Sequence, residues 1–217
     1  MAIKLSILSQ KGGVGKSTLS RAIAVEYAKH EWLVKIADMD LKQRTSATWN
    51  AKRMDNDHQP SLEVQSFSKV NEALKQEGNY DLIIFDGAGQ ADLQTLEIAK
   101  ASNYIILPTG LSSDDLVPQI KLAHEFVKKG IDRNKIGISL SRVGSSSREL
   151  ADAVEYIQLA GYRYLGRIDE KTSITQAHDM GLAANETKYE SVNKVVDEVM
   201  QSIINQVDSL MNEAEVA

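Results

Sequence analysis

Short apolar runs alternate with longer helical patterns along most of the chain. Six runs have the length of β-strands, and several are apolar on both faces, as expected of parallel strands covered by helices. These runs are residues 3–8, 33–37, 82–85, 104–107, 136–140 and 164–168. The alternation of strands and helices predicts a doubly wound α/β fold, in which a mostly parallel sheet carries helices on both faces.

Helical patterns occupy most of the sequence between these runs. They cover residues 17–29, 68–77, 92–101, 114–129 and 146–160. Gly130 and Gly161 stand where two of these helices should end in a left-handed residue. Residues 42–61 are polar and poorly patterned, with one short helix predicted around residues 45–52. Because no repeat, low-complexity tract or flexible linker interrupts the pattern, we expect a single domain over residues 1–217.

The last predicted helix covers about residues 191–211 and carries one apolar stripe. The stripe consists of Val192, Val195, Val196, Val199, Met200, Ile203, Ile204, Val207, Leu210 and Met211. Such a stripe packs either on the domain or on a membrane surface. Membrane-surface helices usually carry Lys and Arg on the polar face, whereas Lys194 is the only cation after Lys188. We therefore expect this helix to pack on the domain.

Composition and charge exclude several functional classes. The chain has no Cys, which excludes disulfides, thiolate metal sites, cysteine nucleophiles and iron–sulfur clusters held by Cys. Its net charge of −5 means that nucleic-acid binding would need a local basic patch. No apolar run approaches the roughly 18 residues of a membrane span, and residues 1–9 do not form a signal peptide. We expect a cytoplasmic protein.

A phosphate-binding loop is predicted between the first strand and the first helix. Its glycines let the backbone turn tightly and direct N–H groups at phosphate oxygens, and the helix N-terminus adds further donors. In such a loop Lys16 reaches the β- and γ-phosphates, and the Ser17 hydroxyl is a ligand of Mg²⁺. The predicted nucleotide-binding residues here are Lys11, Gly12, Gly13, Val14, Gly15, Lys16, Ser17 and Thr18.

The loop departs from the standard pattern in an informative way. The usual first glycine is replaced by Gln10, and an extra lysine, Lys11, opens the loop. With the pattern K-G-G-x-G-K-[ST]-T, the chain resembles the ParA/MinD family of deviant Walker A ATPases, and above all the small ParA-type partition ATPases. The resemblance implies a P-loop NTPase fold, ATP and Mg²⁺ as cofactors, and hydrolysis of ATP in which Lys16 takes part. It also implies an ATP-dependent homodimer, in which Lys11 contacts phosphate across the interface.

Acidic residues follow two of the predicted strands. Asp86 ends the third strand, where a Walker B aspartate would hold Mg²⁺ directly or through water; the alternative is a helix cap. Asp38 and Asp40 end the second strand and resemble the family's D-x-D motif. The resemblance implies that Asp40 orients the attacking water. Asp40 could also contact the metal ion through water. Ordinary turn chemistry is the alternative, and residues 41–43 replace the family's usual Pro-Gln.

Two further regions are expected near the nucleotide. The loop Gly87-Ala88-Gly89 could respond to the γ-phosphate as switch loops do, although a plain strand–helix turn is the alternative. The adenine-side candidates are Pro108, Ser141 and Arg142. Pro108 lies near the end of the fourth predicted strand, and Ser141 and Arg142 follow the fifth. Relatives often contact the adenine base with an Asn near the end of the fifth strand, where this chain has Ser141.

The resemblance leads to a functional hypothesis. It implies that the ATP-bound dimer binds nucleoid DNA non-specifically, and that it segregates or positions DNA with a ParB-like partner in bacterial cytoplasm. The candidate DNA-binding residues are Arg142, Arg148, Arg163, Arg167 and Lys171. A MinD-like or other cargo-positioning ATPase is the alternative, and a metabolic P-loop ligase is a third. Because the first strand starts the chain, we expect no appended helix-turn-helix domain.

Overall fold

Seven strands form one sheet in the protein, here a computed structural model that describes residues 1–88 and 93–216. The strands are β1 (Ile3–Ile7), β2 (Val34–Asp38), β3 (Glu63–Ser66), β4 (Leu82–Asp86), β5 (Tyr104–Thr109), β6 (Ile136–Val143) and β7 (Arg163–Asp169). Their order is β3-β2-β4-β1-β5-β6-β7, and every pairing is parallel. This confirms the predicted α/β class. The sheet was expected to be mostly parallel, and it is parallel throughout its described strands.

One strand escaped prediction from the sequence. Strand β3 lies at the edge of the sheet and alternates exposed with half-buried residues. Because only alternate side chains of β3 are partly buried, the strand needs no continuous apolar run. Its sequence therefore resembles the polar sequence around it. The six predicted strands all exist, with bounds shifted by one to three residues.

Eight helices cover the two faces of the sheet within the described residues. They are α1 (Lys16–Lys29), α2 (Thr45–Asp55), α3 (Val70–Leu74), α4 (Leu93–Ala101), α5 (Ser113–Lys128), α6 (Ser147–Leu159), α7 (Thr172–Asp179) and α8 (Glu190–Val216), with short 3₁₀ turns at Glu77–Asn79 and Arg133–Lys135. Helix α7 was not predicted, and residue 92 of the helix predicted over residues 92–101 lies outside the described residues. Gly130 and Gly161 have φ angles of 88° and 80° just beyond α5 and α6, as predicted.

Two apolar cores lie on opposite faces of the sheet. Side chains from α3, α4, α5 and α6 fill one core, and side chains from α1, α2, α7 and α8 fill the other. The apolar stripe of α8 is buried in the second core at Val196, Val199, Met200, Ile203 and Val207. This confirms the expectation that the last helix packs on the domain. No helix in residues 1–88 and 93–216 is long and apolar enough to cross a membrane.

The topology places a crevice at the carboxyl end of β1. This strand lies between β4 and β5, so the chain leaves it toward one side of the sheet and later continues on the other. Ligands of open parallel sheets bind at such a reversal point, outside the carboxyl ends of the strands. The phosphate loop follows β1 at this edge, and Asp38 and Asp86 are the last residues of β2 and β4.

Candidate nucleotide-binding site

The loop between β1 and α1 has the backbone shape that its glycines predict. Gly13 and Gly15 have φ angles of 75° and 90°, in the left-handed region. A Cβ atom on Gly15 would lie only 2.8 Å from the Ser141 hydroxyl, so both the conformation and the space require glycine there. Gly15 directly precedes α1 and has no side chain to cap it. The first N–H groups of α1 are therefore open to an anion.

An open cleft of about 390 Å³ surrounds this loop, within the usual size range of ligand sites. Its lining includes the predicted residues Gly12, Gly13, Gly15, Lys16, Ser17, Thr18, Asp40, Asp86, Gly87, Ser141 and Arg142. Three predicted residues are not part of the lining: the side chains of Val14, within the loop, and of Pro108 are buried, and the Lys11 side chain points toward α5. The structure thus brings together most of the candidate phosphate and metal residues, but not those three.

Lys16 is the central cation of the cleft. Its side chain is mostly buried, at 8% exposure, and its ammonium group donates to the Lys11 carbonyl oxygen at 3.0 Å. Burial lowers the pKa of Lys16, while the nearby carboxylates of Asp86 and Asp40 act in the opposite direction. An incoming phosphate would add negative charge beside this ammonium group and so favour its charged form.

Asp86 provides a buried carboxylate beside the loop. It is 2% exposed, and burial raises its pKa, opposed first by the Ser46 and Ser17 hydroxyls and then by Arg21 and Lys16. The Ser46 hydroxyl donates to Asp86 Oδ2 at 2.6 Å. Asp86 Oδ1 is buried and accepts no hydrogen bond from the described part of the chain. A buried carboxylate oxygen without a partner is unusual, and it is consistent with a metal-binding role.

The candidate metal ligands would hold Mg²⁺ together with the phosphate oxygens of a bound nucleotide, not by themselves. Within the described residues, no three His, Cys, Asp or Glu side chains form a metal cage. Mg²⁺ in nucleotide sites is typically held by one or two protein oxygens, phosphate oxygens and water. Ser17 and Asp86 lie in the same cleft and could supply those protein oxygens.

Asp38 and Asp40 organise the start of α2. Asp38 Oδ2 accepts from the backbone N–H groups of Ser46 and Ala47 at 3.1 and 3.2 Å, so it caps α2. Burial and then the charge of Asp86 raise the pKa of Asp38, opposed by these and other backbone hydrogen bonds. Asp40 Oδ1 accepts from the N–H groups of Lys42 and Gln43 at 3.1 and 3.0 Å. Asp40 therefore forms a turn and also lines the cleft.

Lys11 is tied to its own chain. Its ammonium group pairs with Asp115 Oδ1 at 2.9 Å and also donates to the Asp114 carbonyl oxygen. The side chain is 40% exposed. The loop is further tied to α5 by Gln119, which bonds the Ser9 hydroxyl at 3.1 Å and the Leu8 carbonyl oxygen at 2.7 Å. Lys11 is thus directed away from the cleft of the single chain.

The end of β6 contacts the loop from the opposite side. Arg142 has a φ of 54°, a left-handed conformation that is uncommon for a residue with a side chain and that occurs in turns and at functional sites. Its guanidinium nitrogen Nη1 lies 3.6 Å from the position of a Cβ on Gly13. The Ser141 hydroxyl is buried and accepts or donates no hydrogen bond within the described residues. Both residues line the cleft, and their contact with adenine stays a prediction.

One wall of the cleft, which comes from the end of β7 and from α7, was not predicted from the sequence. This wall consists of Ile168, Asp169, Glu170, Lys171, Ile174, Thr175 and His178. Burial, followed by the charge of Arg21, lowers the pKa of His178 to about 4, so its ring is neutral at pH 7. The buried pair Ile174 and Ala177 has helical spacing, but the pattern is too short to identify a helix in the sequence.

The candidate DNA-binding residues are spread over several places. Arg142 and Lys171 line the cleft, and Arg167 pairs with Asp169 at 2.9 Å. Arg148 is exposed on α6. Arg163 begins β7, so it lies one strand length from the cleft, roughly 20 Å for seven residues.

The loop after Asp86 is described only in part. The Gly87 N–H donates to the Ile7 carbonyl oxygen at 3.1 Å, and a Cβ there would lie 2.7 Å from the Leu8 side chain. Glycine is therefore required for close contact with β1. Gly89, part of the predicted switch loop, lies outside the described residues.

Comparisons with solved structures identify several proteins of similar fold. A MinD from Pyrococcus horikoshii in complex with Mg-ADP shares 18% identity, with a TM-score of 0.74, over 94% of this chain and 96% of that chain. McdA from Cyanothece shares 16% identity, with a TM-score of 0.73, over 94% and 100%. A plasmid partition protein from Borrelia burgdorferi bound to AMPPNP shares 18% identity, with a TM-score of 0.74, over 95% and 100%. At these identities the likeness shows a common fold.

The family assignment comes from the sequence itself. Residues 5–213 match the model of the CobQ/CobB/MinD/ParA nucleotide binding domain. A search of curated proteins found no match. The chain belongs to the CobQ/CobB/MinD/ParA nucleotide-binding family.

Proposed function

We propose that this member of the family is a ParA-type ATPase that binds Mg²⁺-ATP in the cleft, hydrolyses it and dimerises while ATP is bound. The main support is one arrangement of residues. Lys16, Ser17, Asp40 and Asp86 meet at the carboxyl edge of the sheet, around a glycine loop that carries the additional Lys11. This combination supplies a phosphate cradle, two oxygen ligands for a metal ion and a carboxylate within reach of water.

Each residue has a defined task in this proposal. The loop N–H groups and the Lys16 ammonium group bind the phosphate oxygens and stabilise the charge that develops on them. Ser17 and Asp86 hold Mg²⁺, which neutralises charge on the phosphates when it is bound. Asp40 orients the attacking water through its free oxygen, while its other oxygen keeps the turn in shape. Arg142 and Ser141 contact the nucleotide from the β6 side.

The dimer requires Lys11 to change partners. To reach phosphate across an interface, Lys11 must leave Asp115 and the α5 turn. A partly exposed ion pair contributes only about 0–1 kcal/mol, so the loss of this pair opposes dimerisation weakly. Contacts to a partner's phosphates can replace it easily.

DNA is the proposed surface for the dimer, and a ParB-like protein is the proposed activator of hydrolysis. The apolar stripe of α8 is packed against the domain, so among the described residues this stripe is not presented to a membrane, and this weighs against the MinD-like alternative. Arg163 and Arg148 lie on exposed parts of β7 and α6. In a dimer such cations occur twice, so weak phosphate contacts can add up.

The proposal is tested by ATP turnover of the purified protein with and without double-stranded DNA at low salt. We expect Mg²⁺-dependent ADP production that DNA or a DNA-bound partner protein accelerates. Turnover that responds only to a small carboxylate or amine substrate would indicate a metabolic ligase. Binding of the ATP form to anionic vesicles, and not to DNA, would indicate a MinD-like protein.

A further inference from the structure

The first turn of α2 contacts both predicted magnesium ligands. We propose that Thr45 and Ser46 are positioning residues, which orient Ser17 and Asp86 toward the metal ion. The inference rests on the proposed Mg²⁺-nucleotide binding and adds two residues that no sequence motif identifies.

Thr45 acts on Ser17. The two hydroxyl oxygens are 3.0 Å apart, within hydrogen-bond distance. A serine that binds a metal ion does so through an oxygen lone pair, so its proton must point elsewhere. Either hydroxyl of this pair can be the donor. When Ser17 binds the metal ion, Thr45 Oγ1 would accept the Ser17 proton, which leaves a lone pair of Ser17 free for the ion.

Ser46 acts on Asp86. The carboxylate can only accept, so the Ser46 hydroxyl is the donor of the 2.6 Å hydrogen bond to Oδ2. Ser46 is fully buried, at 0% exposure, which leaves this hydroxyl no access to solvent. The bond holds one carboxylate oxygen and leaves Oδ1 buried without a partner in the described part of the chain. A buried oxygen without a partner destabilises the folded protein unless a ligand binds it. A cation is the ligand that a carboxylate prefers.

The turn that carries both hydroxyls is held from two sides. Asp38 accepts from the N–H groups of Ser46 and Ala47. Arg21, buried on α1, donates to the Thr45 carbonyl oxygen at 2.7 Å. The turn is therefore fixed relative to both β2 and α1, and its side chains keep one direction.

A purely local role for the two hydroxyls does not fit these contacts. Ser and Thr at a helix start usually accept from an N–H of their own helix. Here Asp38 does the capping, and both hydroxyls bond residues of other elements. Side chains that orient metal ligands typically change metal affinity or activity by 10–100-fold when they are removed.

The experiment measures how nucleotide affinity depends on Mg²⁺. A fluorescent ADP analogue is titrated into wild type, Ser46→Ala and Thr45→Val, first in EDTA and then across a range of Mg²⁺ concentrations. We expect near wild-type affinity in EDTA, and a roughly 10–100-fold higher Mg²⁺ concentration for half-maximal enhancement. Mn²⁺ bound to the ADP complex, counted by its EPR signal, should weaken in parallel.

Two variants make the result specific. Ser139→Ala removes another fully buried hydroxyl, which bonds the Gly166 carbonyl oxygen on β7, and it should leave Mg²⁺ dependence unchanged. Thr45→Ser keeps the hydroxyl and should restore the wild-type profile. Because Thr45 is only half-buried, its two variants decide the matter if Ser46→Ala does not fold.

The outcomes separate this inference from the proposed function. Wild-type Mg²⁺ dependence in both hydroxyl-deleting variants would overturn the inference, as would an equal loss of affinity in EDTA, which indicates a general effect on the loop. A wild-type protein that binds ADP without any effect of Mg²⁺ would instead contradict the proposed function.

Discussion

The phosphate loop and the segment after β2 flank the same cleft but contribute to it in different ways. In the loop the backbone provides the binding groups, so the glycine pattern of residues 12–15 identifies it in the sequence. In the segment after β2, side chains act through contacts with distant residues, as Ser46 does with Asp86. A site formed by backbone groups can therefore be found from the sequence, whereas one formed by side-chain contacts between distant residues is found only once the fold is known.

The largest expected difference between the two regions is in ATP turnover, and Asp40→Ala tests it. If Asp40 orients water, the loss affects the transition state, so turnover should fall by roughly 10²–10⁴-fold while ATP affinity stays within a few-fold. Single-turnover hydrolysis and equilibrium binding measure the two quantities, with Asp55→Ala at the exposed end of α2 as the control. Normal turnover would assign Asp40 to turn formation alone.

The second prediction concerns Lys11, the loop residue that is proposed to act across the dimer interface. Lys11→Ala should fold and bind nucleotide, because its charge is not part of the cradle, but it should lose the ATP-dependent dimer. Sedimentation with ATP measures this, and Lys121→Ala, an exposed lysine of α5, should dimerise normally. A Lys11→Ala protein that still dimerises and hydrolyses ATP would contradict the cross-dimer role.

The third prediction concerns the α7 wall. The pKa of His178 is lowered to about 4 in the folded chain, below its ordinary value near 6.5. The unfolded chain therefore binds the proton first, and stability is lost as pH falls from about 6.5 toward 4. His178→Asn should reduce this loss by roughly 1–2 kcal/mol at pH 5, as measured by urea unfolding at pH 7 and 5. An unchanged pH dependence would show that His178 is not the titrating group.

The smallest expected effect is that of Arg163→Ala on DNA binding. Removal of one phosphate contact should lower the slope of log affinity against log salt by about 1, equally for all DNA sequences. Lys75→Ala serves as the control, because Lys75 is exposed and follows α3, between β3 and β4, whereas Arg163 lies on β7 at the opposite edge of the sheet. A full slope in Arg163→Ala would place the DNA contacts elsewhere, at Arg148 or around the cleft.

The sequence predicted those parts whose signal is local. Six strands, the loop and the carboxylates at the strand ends could be found because apolar runs and glycine spacing do not depend on the rest of the fold. Strand β3 and helix α7 are short and bury few residues, so their periodicity is weak. Thr45 and Ser46 lie in a polar stretch that resembles any loop, and their role depends on Ser17 and Asp86, which are 28 and 40 residues away.

Lys16 tests the central claim most directly, because every part of the proposed function requires phosphate in this loop. A charge-assisted hydrogen bond contributes roughly 2 kcal/mol, or about 30-fold in affinity. Equilibrium binding of ATP with Mg²⁺ should therefore show at least this loss in Lys16→Ala, with the fold intact by circular dichroism. Wild-type ATP affinity in that variant would contradict the assignment of the cleft as a nucleotide site.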